Sequence, residues 1–183
     1  MIRGIHHIAI STPDLDRLVA FYTDVIGFVP VMSTEWNDRP LVDRMIGGYE
    51  RSAARQVMLQ AGNAHLELFE YTSPRPAPAD PDRTPADHGY THFCLDVVDI
   101  DGEHERLAAN GVTFNSSPPT VEEMGGVGRL RAIYGRDPDG YLAYKDHPWF
   151  DACCRFCERY DQAAFDPAYP TKPLAHFVPL LKE

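Results

Sequence analysis

Ile5-His6-His7-Ile8-Ala9-Ile10, followed at once by Ser11-Thr12-Pro13-Asp14, is the stretch on which the reading of the fold turns. Its apolar residues alternate as in a half-buried strand, and Thr12-Pro13 then reads as a helix start with Thr12 as the N-cap. The same pattern returns as Thr91-His92-Phe93-Cys94-Leu95-Asp96, leading to Val97-Val98-Asp99. In each copy an Asp lies seven residues after a His: His7 to Asp14, His92 to Asp99. Gly27 and Gly111 then close the two helical patterns at nearly the same offset, and a strand pattern follows each. Matching His, Asp and Gly offsets make a duplicated module.

Alternation assigns the faces. His7 and Ala9 share one side of the first strand, with His6, Ile8 and Ile10 on the other. In the second copy His92, Cys94 and Asp96 oppose Phe93 and Leu95. Ile8, Ile10, Phe93 and Leu95 are the faces expected to pack on helices, which selects His7 rather than His6 as the partner of His92.

The remaining pattern completes each module. Leu15, Leu18, Val19, Tyr22, Val25 and Ile26 recur at helical spacing, and 28–34 reads as a strand. Residues 35–55 are expected to form a long loop with a short helix near 41–46. Two strands, 56–61 and 64–71, are joined by Gly62-Asn63 as a tight hairpin. On the second of these His65, Glu67, Phe69 and Tyr71 face away from Leu66 and Leu68. A carboxylate in mid-strand is unfavourable unless it is paired, bound or facing solvent. Five prolines between 72 and 89 mark a stiff linker. The second module reads as a strand over 91–97, a helix over 101–110 and a strand over 112–117. A Gly-rich loop at 125–128 follows, then a hairpin turning at Asp137-Pro138-Asp139-Gly140. The expected division is 1–71, first module; 72–89, linker; 90–146, second module; and 147–183, a C-terminal extension.

Composition sets the outer bounds. The 183 residues are 44% apolar, ordinary for a folded globular chain, with a formal net charge of −10 that disfavours nucleic acid and anionic membranes as partners. Apolar runs are too short for a membrane span and no signal peptide is read, so a cytoplasmic location is the expectation. Cys153, Cys154 and Cys157 crowd one segment, which is not a distributed disulfide framework, and thiols on a docked helix are the plain reading.

Several of these motifs coincide with those of one superfamily. They are His7-x6-Asp14 with Phe21-Tyr22 and Ile26-Gly27-Phe28, Leu66-Glu67-Leu68, Gly89-x-x-His92, and Arg136-Asp137-Pro138-Asp139-Gly140. Over residues 1–146 the chain resembles the vicinal oxygen chelate superfamily, which includes glyoxalase I, methylmalonyl-CoA epimerase, type I extradiol dioxygenases and the fosfomycin and bleomycin resistance proteins. The resemblance implies an α+β fold of two βαβββ modules forming a curved mixed sheet around a metal-binding cleft. It implies His7, Glu67 and His92 as ligands of a divalent metal (Fe, Mn, Zn or Ni), and a homodimer. The fourth family ligand, commonly a Glu four residues after the turn glycine, is here Tyr144. An ordinary phenol cannot replace that carboxylate as a base at neutral pH. Tyr144 is therefore expected to line the site as a hydrogen-bond donor or weak ligand, with Tyr134 as a further donor. Two functions follow from the resemblance. One is a metal-dependent ring-cleaving dioxygenase or lyase/isomerase, acting on a small substrate that chelates through vicinal oxygens. The other is a non-catalytic binding or resistance protein of the bleomycin-resistance type.

Overall fold

In the computed structural model, residues 2, 4–80, 84–124 and 131–140 are described, together with the backbone of 143–146. The Gly-rich loop at 125–128, Cys153, Cys154, Cys157 and the rest of 147–183 lie outside the described residues.

Two mixed sheets share one topology. The first contains β1 (His7–Ser11), β2 (Val29–Asn37), β3 (Ala53–Ala61) and β4 (Ala64–Ser73), in the order β1-β4-β3-β2. The second contains β5 (Cys94–Val97), β6 (Thr113–Phe114), β7 (Arg131–Arg136) and β8 (Ala143–Asp146), in the order β5-β8-β7-β6. In each, the first strand pairs parallel with the fourth and the remaining pairs are antiparallel. A parallel pair needs a crossover, and a helix after each first strand begins it: α1 (Leu15–Ala20) and α3 (Ile100–Ala109). The short α2 (Pro40–Met45) falls where a helix near 41–46 is expected. No helix among the described residues is long and apolar enough to cross a membrane.

The repeated Asp has a structural cause. Asp14 and Asp99 are the N-caps of α1 and α3, accepting from the backbone N–H groups of Arg17 and Gly102. This corrects the assignment of Thr12 as N-cap. Thr12 is buried, and its hydroxyl oxygen accepts from the Asp14 N–H instead. The expected helix stop at Gly27 holds: α1 runs on as a π-helix over Phe21–Ile26 and ends on Gly27 at φ 94°, a left-handed conformation natural to glycine.

Other boundaries shift. β2 continues to Asn37 and β3 begins at Ala53, so the loop between them is shorter than read from polarity alone. Asp43 closes it by accepting from the N–H groups of Arg51 and Ser52, and hydrogen bonding to Ser52 holds its carboxyl below the usual range. β4 runs to Ser73 and β6 is only two residues long.

One core serves both modules. Ile10, Leu15, Leu18, Tyr22, Leu66 and Leu68 from the first join Phe93, Ile100, Leu107, Val112 and Ile133 from the second. The Asp-Pro-Asp-Gly turn completes the junction. The hydroxyl of buried Tyr22 donates to Asp137 at 2.6 Å, Arg17 pairs with Asp139, and Arg106 donates to the Val25 carbonyl at 2.6 Å. Tyr22→Phe removes a donor from a carboxylate only 5% exposed and is expected to cost about 1–3 kcal/mol, read as a lowered midpoint in urea unfolding.

Candidate metal centre

Because the modules meet through their helix-covered faces, His7 and Glu67 lie on the side of the first sheet away from the shared core. The parallel register sets Ala9 opposite Glu67 and His7 opposite His65, so His7, Ala9, His65 and Glu67 form one face. His7 Nε2 lies 3.2 Å from Glu67 Oε2, with the two side chains 40% and 12% exposed. The mid-strand carboxylate is therefore partnered. Its other oxygen, Oε1, accepts from the Gln56 amide on β3. Gln56 Oε1 in turn accepts from the Thr34 hydroxyl on β2 at 3.1 Å. On the far side His6 Nδ1 is 2.9 Å from His7 Nδ1, and the His6 ring stacks on His65 with centroids 4.9 Å apart.

This donor set fits half of a divalent-metal site. With metal–donor bonds of about 2.1 Å, two neighbouring donors in tetrahedral or octahedral geometry sit about 3.0–3.4 Å apart. The separation of the His7 nitrogen and the Glu67 oxygen falls within that range. Imidazole and carboxylate together suit Fe, Mn, Zn or Ni. Among the described residues no group of three or more His, Cys, Asp or Glu side chains is gathered closely enough to hold an ion. One chain thus brings His7 and Glu67 together without His92.

His92 sits in the second module beside another sequence-derived candidate. It lies just ahead of β5 rather than within a strand, which corrects the expected start at 91. Its ring meets Tyr134 edge-on at 5.1 Å, and its Nδ1 is 2.9 Å from the Thr91 hydroxyl. Tyr134 is 40% exposed on β7. In β8 the backbone register sets Tyr144 opposite Leu95 and Ile133, the row that contributes to the core, while Ala143 is opposite Cys94 and Tyr134. The Tyr144 side chain lies outside the described residues.

Beyond Glu67 the open face of the first sheet becomes aromatic. Phe69 and Tyr71 continue the row, with Trp36 edge-on to both. Tyr71, Tyr49, Ile46, Pro74 and Pro76 line a cavity of about 260 Å³. Burial, then the Tyr49 and Glu67 charges, push the Tyr71 phenol up, so it stays a neutral hydrogen-bonding group. Sequence reading passed over Gln56, Thr34 and the His6–His65 stack.

Comparison with known proteins agrees with this architecture. Residues 4–143 match the Glyoxalase/Bleomycin resistance protein/Dioxygenase superfamily. A 2-epi-5-epi-valiolone epimerase from Actinomyces sp is 34% identical over 149 residues, covering 75% of each chain. A glyoxalase family protein from Bacillus cereus superposes with a TM-score of 0.69 at 18% identity, covering 80% of this chain and 95% of that one. The fosfomycin resistance protein FosX from Listeria monocytogenes, solved with Mn(II) and sulfate, gives a TM-score of 0.52 at 19% identity over 80% and 93%. At those identities the two structures speak for the fold. The matched span and the twice-repeated strand order make the chain a member of the Glyoxalase/Bleomycin resistance protein/Dioxygenase superfamily.

Proposed function

We propose that this protein is a divalent-metal-dependent epimerase or isomerase of a small substrate bearing two adjacent oxygens. The observation that carries the reading is the His7–Glu67 pair, set at ligand spacing on the open face of the sheet. The 34% identical epimerase favours proton transfer over ring cleavage within the superfamily. His7 and Glu67 would hold the metal, and the remaining protein donor would be His92 from a second copy of the chain. A bound divalent ion supplies Lewis-acid stabilisation of charge on a substrate oxygen. The Tyr134 hydroxyl, beside His92, donates a hydrogen bond to the substrate. The aromatic wall of Phe69, Tyr71 and Trp36 shields one side of the cleft from water.

A homodimer follows from the half-site. Each chain offers His7 with Glu67 on one module and His92 with Tyr134 on the other, both away from the shared core. A twofold assembly that apposes unlike modules would complete two identical sites at once.

Proton exchange tests the reaction. Metal-loaded protein in deuterated buffer, incubated with polyhydroxylated cyclic ketones, is expected to introduce deuterium at the carbon beside the carbonyl. Glu67→Gln should abolish that exchange. Saturable ligand binding without exchange in any such ketone would favour the non-catalytic binding protein.

A further inference from the structure

We infer that Gln56 and His6 are positioning residues that orient the two candidate metal ligands, Gln56 acting on Glu67 and His6 on His7. This rests on the metal-pair reading above and extends it to residues that touch neither metal nor substrate. The geometry is a single polar chain across the first sheet in strand order. It runs from Thr34 on β2 to Gln56 on β3, Glu67 on β4, His7 on β1 and His6 just before it.

Donor and acceptor capacities fix most of this chain. An ionised carboxylate only accepts, so the Gln56 atom facing Glu67 Oε1 must be the amide nitrogen. Gln56 Oε1 then faces Thr34, whose hydroxyl must donate. Flipping the amide would turn its oxygen on the carboxylate and lose the bond to Glu67. With Oε1 of Glu67 occupied, Oε2 is the oxygen presented toward His7 Nε2.

The other end follows the same logic. For His7 Nε2 to donate its lone pair to a metal, the ring proton must sit on Nδ1. The atom that receives it is His6 Nδ1, 2.9 Å away. An imidazole thus takes the place usually held by a carboxylate or backbone carbonyl behind a ligating histidine. His6 is held in turn by its stack on His65, at an interplanar angle of 19°.

The two halves of the function of each residue can be separated. His6→Phe keeps a ring to stack on His65 but removes the acceptor. His6→Asn restores an acceptor close to the place of Nδ1. Gln56→Leu removes the donor to Glu67. Mn(II) affinity, read by electron paramagnetic resonance at fixed pH, is expected to fall about 10–100-fold in His6→Phe and in Gln56→Leu. His6→Asn should recover most of the loss, and the melting temperature of His6→Phe should match the wild type. If His7→Ala loses Mn(II) while His6→Phe and Gln56→Leu bind it within twofold of wild type, the positioning role is wrong and the metal pair stands. If His7→Ala binds as tightly as the wild type, the metal pair is wrong and the positioning role falls with it.

Discussion

Glu67→Gln is expected to weaken divalent-metal binding by more than about 100-fold, beyond the range usual for groups that only support a ligand. The substitution keeps the shape of the side chain and removes its charge. An amide oxygen is a weaker donor to a divalent cation than a carboxylate. It also upsets the chain that orients the site, since the new amide must present either its oxygen or its nitrogen to Gln56. If its nitrogen turns toward Gln56, two donors face one another unless the Gln56 amide flips; if its oxygen does, the nitrogen faces His7. Isothermal titration with Mn(II) at neutral pH measures the change. Glu67 lies in the sheet interior at 12% exposure, so a thermal melt of the same variant should accompany the titration.

Two variants that are each inactive, His7→Ala and His92→Ala, should regain activity when the two chains are mixed by co-expression. In a twofold dimer with sites shared between chains, half of the random pairs are mixed, and each mixed pair holds one intact site of two. The recovered activity is then about one quarter of wild type. The alternative arrangement, in which one chain closes its own site, gives no recovery, because every site then carries one of the two substitutions. The physical basis is the junction within the chain. Tyr22, Phe93, Arg17 and Asp139 join the modules through their helix-covered sides, leaving the His7 and His92 faces on the outside. Among the described residues β1 and β5 are both edge strands, so within them each sheet ends beside the histidine.

The sequence made the duplicated module legible because its signals are local. An Asp seven residues after each His marks a helix N-cap, and a glycine at the far end marks the stop. Alternation placed Ile10 and Phe93 in the core and His7 and Glu67 on the opposite side. Gln56 was within reach of the same reasoning. A two-residue turn at Gly62-Asn63 sets Ala61 opposite Ala64, and counting back sets Met58 opposite Glu67, with Gln56 one pleat further on the same face.

What could not be read is what depends on two separate modules. The Asp137-Pro138-Asp139-Gly140 turn looked like a hairpin connection, and it is also the point where the second module grips Tyr22 and Arg17 of the first. No periodicity announces a contact spanning that much chain. The start of β5 at Cys94 has a related cause. Pairing with β8 covers only four residues, so His92 falls outside the ladder although its alternation matches that of His7.

Metal stoichiometry tests the central claim most directly. Wild-type protein, stripped with chelator and titrated with Mn(II), should bind one ion per chain, and His7→Ala and Glu67→Gln should each lose that binding while remaining folded. Equal, tight Mn(II) binding by the wild type and both variants would contradict the account, since the ion would then be held without the pair on which the site is built.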